Sequence, residues 1–324
     1  MTSASRKIRA SPIEAPSGTS LIAVPTDGSA DALPRHGFRM NAGATSENRP
    51  NSTKGPKSVL PSHTIDPRTP CTIVRDLRQP LVATAIHAGH SVRTEIAERL
   101  NLDSAQRLRE EDPFTERWTS VAPSRIVGTA SRFEVDLNRP RNEAVYRVPD
   151  DAWGLHVWRE PLPEAIVERS LARYDAFYAA AAALFDAVHE RFGRFAVLDL
   201  HSYNHRRGGP DSPAAPAAEN PEVNLGTSTM DVERFGGAVE RFAEDLRSDG
   251  ALDVRLDVKF RGGHFVRWIH ERYQGEVCAI AIEVKKTFMD EWTGQPDDQR
   301  LSRFGRRLEA AVPSLLDSLG ARPA

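Results

Sequence analysis

A chain of 324 residues, 40% hydrophobic and 27% charged, is long enough to bury a substantial core in one large domain. Its 43 basic and 45 acidic residues nearly cancel, which excludes the global field that would attract nucleic acid or an anionic membrane surface and leaves a small molecule as the expected partner. Two cysteines far apart in the chain, Cys71 and Cys278, exclude a disulfide framework or a thiolate zinc site and fit a reducing compartment, and no apolar run approaches the roughly 20 residues of a membrane span. The opening MTSASRKIRASPIEAPSG lacks the apolar middle of a secretory signal, so a cytoplasmic protein is expected.

Residues 1–65 are rich in Ser, Pro, Ala, Gly and Asn without sustained periodicity. They bury too little apolar surface to offset the entropy of ordering and read as a disordered leader, with 66–324 as a single domain. Four short apolar runs predict strands: LVATAI (81–86), FAVLDL (195–200), LDVRLDV (252–258) and VCAIAIEV (277–284). Between the first two, PLPEAIVERSLARYDAFYAAAAALFDAVHERFG has Pro163 at its start, apolar residues at helical spacing and Gly193 at its end, which predicts one long helix. The segment 206–224 is too rich in Pro and Ala for a core element and predicts a long surface loop. A second helix is expected after the capping region Thr229–Asp231. A third is expected through QRLSRFGRRLEAAVPSLLDSLG, kinked or broken at Pro313. Strands alternating with helices predict an α/β fold, with a mixed, mostly parallel sheet flanked by helices on both faces.

In such sheets ligands bind beyond the carboxyl ends of strands, so the polar residues there are the ones to collect. After LVATAI stand His87 and His90; SRFEVDLNRPR supplies Arg132, Asp136, Asn138 and Arg139; FAVLDL delivers His201, Ser202 and Tyr203; VCAIAI delivers Glu283. His87 and His201, leaving different strands, can bring neutral imidazoles to one divalent metal, with an acid such as Asp199 holding a second nitrogen. Zinc is the expected metal, and a catalytic zinc site takes a third protein ligand. His90 competes for that place with Glu110, Glu111 and Asp112; the alternative for each is a solvated side chain. Glu283 also fits an ion pair with Lys285 or Lys286. Arg139 fits a pair with Asp136 or Glu143, although its planar fork suits a substrate carboxylate. Arg132 is balanced in the same way. In FRGGHF, Gly262 and Gly263 allow a sharp turn or a close approach to substrate, with Arg261 and His264 as polar contributors, while His270, Glu271 and Arg272 are expected on the surface. A serine hydrolase built on Ser202 is unattractive without a G-x-S-x-G elbow.

Taken in order, HAGHSV, SRFEVDLNRPR, LDLHSYN, FRGGHF and AIEVKKTFMDEWTG resemble the N-formylglutamate amidohydrolase family, within the zinc carboxypeptidase and aspartoacylase superfamily. The similarity runs from about residue 80 to 295 and does not touch 1–65. It implies a zinc-carboxypeptidase-like fold and a metal-dependent amidohydrolase that removes an acyl group, formyl foremost, from an N-acyl acidic amino acid. By the same resemblance His87 and His201 are metal ligands, Glu283 is the general base that takes a proton from water, and Asn138 with Arg139 clamps a substrate carboxylate. The peptidase pattern has Glu where His90 stands, and the usual amidohydrolase opening has Pro where this chain has Ile86. The site expected on these grounds comprises Glu283 as catalytic residue, Arg132, Asn138, Arg139, Tyr203, Arg261 and Gly263 around the substrate, and His87, His90, Asp112 and His201 around the metal. A related metallocarboxypeptidase, another N-deacylase, or a ligand-binding protein that has lost the metal are the alternatives.

Overall fold

The computed structural model describes residues 62–64, 68–248 and 250–321. Along them run β1 (Ser62–Thr64), β2 (Cys71–Arg75), β3 (Leu81–Ala85), α1 (Thr94–Ala97), α2 (Ser104–Glu110), β4 (Ser124–Gly128), α3 (Glu164–Phe192), β5 (Phe195–Tyr203), β6 (Val223–Gly226), α4 (Val232–Arg247), β7 (Val254–Leu256), α5 (His264–Arg272), β8 (Val277–Lys285) and α6 (Asp298–Ser318). The strands form one mixed sheet in the order β1-β2-β4-β3-β5-β8-β6-β7. Its middle four, β4, β3, β5 and β8, are parallel, so their carboxyl ends share one edge. β2 and β6 run against them.

The sheet is covered on both faces. Phe195 and Val197 of β5 join Phe177 and Phe185 of α3 and Phe265 of α5 in one core. Ala196, Leu198 and Leu200 turn the other way, to Phe242 of α4 and Leu308 of α6. Each such buried aromatic contributes roughly 1.5–3 kcal/mol. Val277, Ala279 and Ala281 of β8 repeat the alternation against Cys278, Ile280 and Ile282. That period of two continues beyond the apolar stretch. Asp199 and His201 follow Val197 on one face of β5, and Glu283 follows Ala281 on the same face of β8. A core face thereby becomes a polar site where the strands end.

β3 and β7 lie within their apolar runs, while β5 and β8 begin with theirs and run on to Tyr203 and Lys285. β2 and β4 are short and half-exposed, so neither produces such a run. β6 begins at Val223, inside the segment expected to be loop, and is held between β8 and β7. β1 falls within the expected leader and pairs with β2; residues 1–61 and 65 of that leader lie outside the described residues. α3 starts after Pro163 and ends at Gly193, whose φ of 72° suits glycine. α6 runs through Pro313 without the break that is one of the two expected outcomes there. Pro313 and Glu309, one turn earlier, are exposed, so the carbonyl that loses its partner faces solvent. Among the described residues no helix is long and apolar enough to cross a membrane.

Candidate active site

His87 lies two residues past β3, His201 near the end of β5, and Asp112 two residues past α2. The Asp112 backbone N–H donates to the His87 carbonyl at 3.0 Å, which ties the helix end to the strand end. As a result one ligand atom from each of the three buried side chains lies within 4.8 Å of the others. Asp112 Oδ2 is 3.0 Å from His201 Nδ1 and 3.5 Å from His87 Nδ1. The far nitrogens are held from behind: His87 Nε2 is 2.7 Å from Asp136 Oδ1, and His201 Nε2 is 2.9 Å from Asp199 Oδ2. A carboxylate only accepts, so each Nε2 carries a proton and each Nδ1 turns toward Asp112.

Two imidazole nitrogens around one carboxylate oxygen need either extra protons or a cation between them. Burial disfavours a charged ring, yet Asp199 and Asp112 hold His201 well above its ordinary value. Asp112 is itself buried and is nevertheless held below the usual carboxylate range by His201 and His87. A metal ion satisfies all three groups at once. Two His and one carboxylate form a donor set that binds zinc with a further position open.

Each of these groups is braced. Asp136 accepts from Arg132 Nη2 at 2.8 Å, from the Asn138 backbone N–H at 2.9 Å and from the Tyr146 hydroxyl. Thr84 Oγ1 donates to Asp199 at 2.6 Å, and Ser202 Oγ donates to Asp112 Oδ1 at 3.0 Å. Lys286 is buried, and its Nζ donates to the carbonyls of Arg109 at 2.5 Å and Glu111 at 2.7 Å, which fixes the turn carrying Asp112. Lys286 is therefore not the partner of Glu283. Among the described residues Glu283 forms no ion pair. It is the register neighbour of His201 on the adjacent parallel strand, a spacing of about 4.8 Å. Burial, reinforced by Asp112 and Asp199, pushes its carboxyl up to about 7, the range in which a general base works at neutral pH.

Above this floor opens a cavity of about 240 Å³, room for a small ligand. His87, Asp112, His201 and Glu283 line it, as do Arg132, Asn138, Tyr203, Arg261 and Gly263. Arg132 is committed to Asp136, and its guanidinium lies 4.8 Å from the ring of Trp153. Trp153 is 47% exposed at the rim and has a φ of 54°, an uncommon conformation for a side chain of that size. Arg207 pairs with Glu110 at 3.4 Å. Arg261 is exposed and, among the described residues, its guanidinium has no polar partner. Gly263 packs so close to the Asn138 amide that an added Cβ would meet it at 2.3 Å. Asn138 Oδ1 accepts the Phe265 backbone N–H at 2.9 Å and so anchors the start of α5.

Several expected residues lie elsewhere. His90 is outside the three-residue cluster: its Nδ1 meets Glu111, its Nε2 lies 2.8 Å from Ser104 Oγ, and the side chain is 37% exposed. Glu111 in turn accepts from Ser131, and Glu110 faces Arg207, so of the three successive acids only Asp112 turns to His87 and His201. Arg139 does not line the cavity. Its Nη2 donates to the Asp151 carbonyl at 2.7 Å, its Nε is 3.7 Å from Asp136, and its guanidinium covers Tyr146. The Tyr203 ring lines the cavity, but its hydroxyl is spent on the Pro221 carbonyl. His264 meets Tyr174 instead of the cavity. His270 is not a surface residue: it accepts the Ala279 N–H at 3.2 Å, and burial drives it down to about 4.

Sequence reasoning missed Asn204, Trp153, Phe260 and Lys286. Asn204 stands in the quoted LDLHSYN run and could have been found there; Trp153 and Lys286 carry no local signal, because their places depend on contacts distant in the chain.

The N-formylglutamate amidohydrolase family model matches residues 79–289. No curated protein matches the chain. Among solved structures, an N-formylglutamate amidohydrolase from Ralstonia eutropha JMP134 superposes with a TM-score of 0.62 at 20% identity, covering 77% of this chain and 97% of that one. The gene product Atu2144 of Agrobacterium tumefaciens gives a TM-score of 0.54 at 15% identity, covering 76% of this chain and 95% of that one. These likenesses agree with the mixed α/β architecture. The family match spans β3 through β8 and takes in the whole floor of the cavity, and the chain accordingly belongs to the N-formylglutamate amidohydrolase family, hydrolases that cleave amide bonds.

Proposed function

We propose that the protein is a zinc-dependent deformylase of a small N-acyl acidic amino acid of the N-formylglutamate type. The observation that carries this reading is the convergence of His87 Nδ1, His201 Nδ1 and Asp112 Oδ2 beneath a cavity walled by Glu283 and by Arg261, whose guanidinium is unpaired among the described residues.

Zinc held by these three groups supplies Lewis acidity, making water more acidic and an amide carbonyl more electrophilic at neutral pH. Asp136 and Asp199 keep both imidazoles in the tautomer whose Nδ1 faces inward. Glu283 removes the proton from the attacking water and, now neutral, returns it to the departing nitrogen; one carboxyl serves as base and then as acid. Arg261, with five donors and no polar partner for its guanidinium among the described residues, takes a substrate carboxylate in place of the expected Arg139, whose guanidinium is turned to Asp151 and Asp136 outside the cavity. The small cavity favours a formyl or similarly compact acyl group. With Asp112 as third ligand, His90 gives no reason to regard the protein as a binder that has lost its metal.

Formate and acetate release from a panel of N-acyl amino acids, with and without chelator, tests the reading. N-formylglutamate is expected to be hydrolysed only in the metal-loaded protein. Arg261→Ala is expected to raise KM for it about 10- to 100-fold, the worth of a charged hydrogen bond, with little effect on a neutral N-formyl amide. Undiminished turnover in chelator contradicts the metal; equal losses on both substrates contradict the role of Arg261.

A further inference from the structure

We propose that Asn204 is a specificity-determining residue that accepts the N–H of the scissile amide. It follows directly on β5, three residues beyond His201, and lines the same cavity as Glu283 and Arg261. The residue is only 5% exposed, and its side-chain Oδ1 is buried with no hydrogen-bond partner among the described residues. Buried acceptors are almost always paired, so an orphan on a cavity wall points to a ligand donor.

Asn204 Oδ1 is left unpaired because the nearby backbone donors of the same loop are taken by another side chain. An Asn in a turn ordinarily accepts the backbone N–H two residues on. Here that donor, the Arg206 N–H, goes instead to Glu291, as does the His205 N–H at 2.8 Å. Glu291 is itself buried, so it removes both nearby donors and leaves Asn204 turned to the cavity.

The identity of the missing donor follows from the substrate chemistry and rests on the function proposed above. At neutral pH the carboxylates of an N-acyl acidic amino acid are ionised and, like its acyl carbonyl, only accept. Its one donor is the amide N–H. Pairing that group with Asn204 orients the nitrogen that departs on cleavage and selects a secondary amide over an ester of the same shape.

The test compares N-formylglutamate with its oxygen isostere, O-formyl-2-hydroxyglutarate, in the metal-loaded wild type and in Asn204→Ala. The ratio of kcat/KM, amide to ester, is expected to fall about tenfold or more in the variant, the worth of one hydrogen bond. Thermal stability is expected to hold or rise, since no protein hydrogen bond is lost. An unchanged ratio, or a lowered melting temperature with equal losses on both compounds, overturns the role of Asn204 alone. Wild-type protein that hydrolyses neither compound overturns the functional reading along with it. Asn204→Leu, which refills the space, guards against an effect of cavity formation and is expected to give the same shift in ratio.

Discussion

Replacing Glu283 by Gln is expected to lower kcat about 100- to 10,000-fold on N-formylglutamate and to leave metal content unchanged. Gln keeps the shape and most of the polarity of the side chain but cannot take up a proton. Because Glu283 is not one of the three converging residues, its loss leaves the donor set whole. The expected signature is therefore a drop in kcat with little change in KM, since the base acts on water rather than on substrate binding. The same placement raises the carboxyl to about 7: it is half-buried and desolvated beside Asp112 and Asp199, which resist a further negative charge. A Glu283→Gln enzyme with kcat within a few-fold of wild type removes Glu283 from the chemistry. One that loses its metal instead makes Glu283 a ligand. Metal analysis beside steady-state kinetics separates the two.

His201→Ala has the largest expected effect on the folded protein as a whole. It deletes one of the three proposed ligands, and it also leaves Asp199 and Asp112 buried without the ring that lies between them at 2.9 and 3.0 Å. Removing one partner of a buried charged pair costs roughly 3–5 kcal/mol, so a clear fall in melting temperature accompanies loss of metal and activity. His201→Gln, which keeps a polar group in the same space, is expected to recover part of the stability but not the metal. Thermal unfolding of both variants, with and without added zinc, checks this. Wild-type protein is expected to be stabilised by zinc through mass action, and the variants are not. A zinc-dependent rise in stability of His201→Ala equal to that of wild type would exclude His201 as a ligand.

The parts of this site that were legible in the sequence are those governed by a local rule. An apolar run followed by a charged or imidazole side chain marks a strand whose carboxyl end turns polar, and that rule picks out His87, which lies just beyond β3, and His201 and Glu283, which continue the period of two of β5 and β8. The third proposed ligand obeys no such rule. Glu110, Glu111 and Asp112 are consecutive, and which of them faces the histidines is decided by the phase at the end of α2. That phase is fixed by the bond from the Asp112 N–H to His87 and by the Lys286 ammonium on the Arg109 and Glu111 carbonyls. Arginine roles were blurred for a similar reason. Arg139 and Arg261 look alike in sequence, and only the carbonyl of Asp151 and the carboxylate of Asp136 show that one is occupied. For the fold, β2 and β4 escaped because half-exposed strands of five residues give no apolar run. Pro313 misled because an exposed proline can be carried by a helix whose freed carbonyl meets water.

The central claim is that His87, His201 and Asp112 together hold one divalent metal on which amide cleavage depends. It is tested most directly by titrating chelator-stripped wild-type protein and Asp112→Ala with zinc, reading bound metal by calorimetry and formate release from N-formylglutamate in the same samples. The account predicts about one zinc per wild-type chain with activity rising in step, and neither tight binding nor activity in Asp112→Ala. Wild-type protein that binds no zinc, or an Asp112→Ala protein that binds and responds to it as wild type does, would contradict the account.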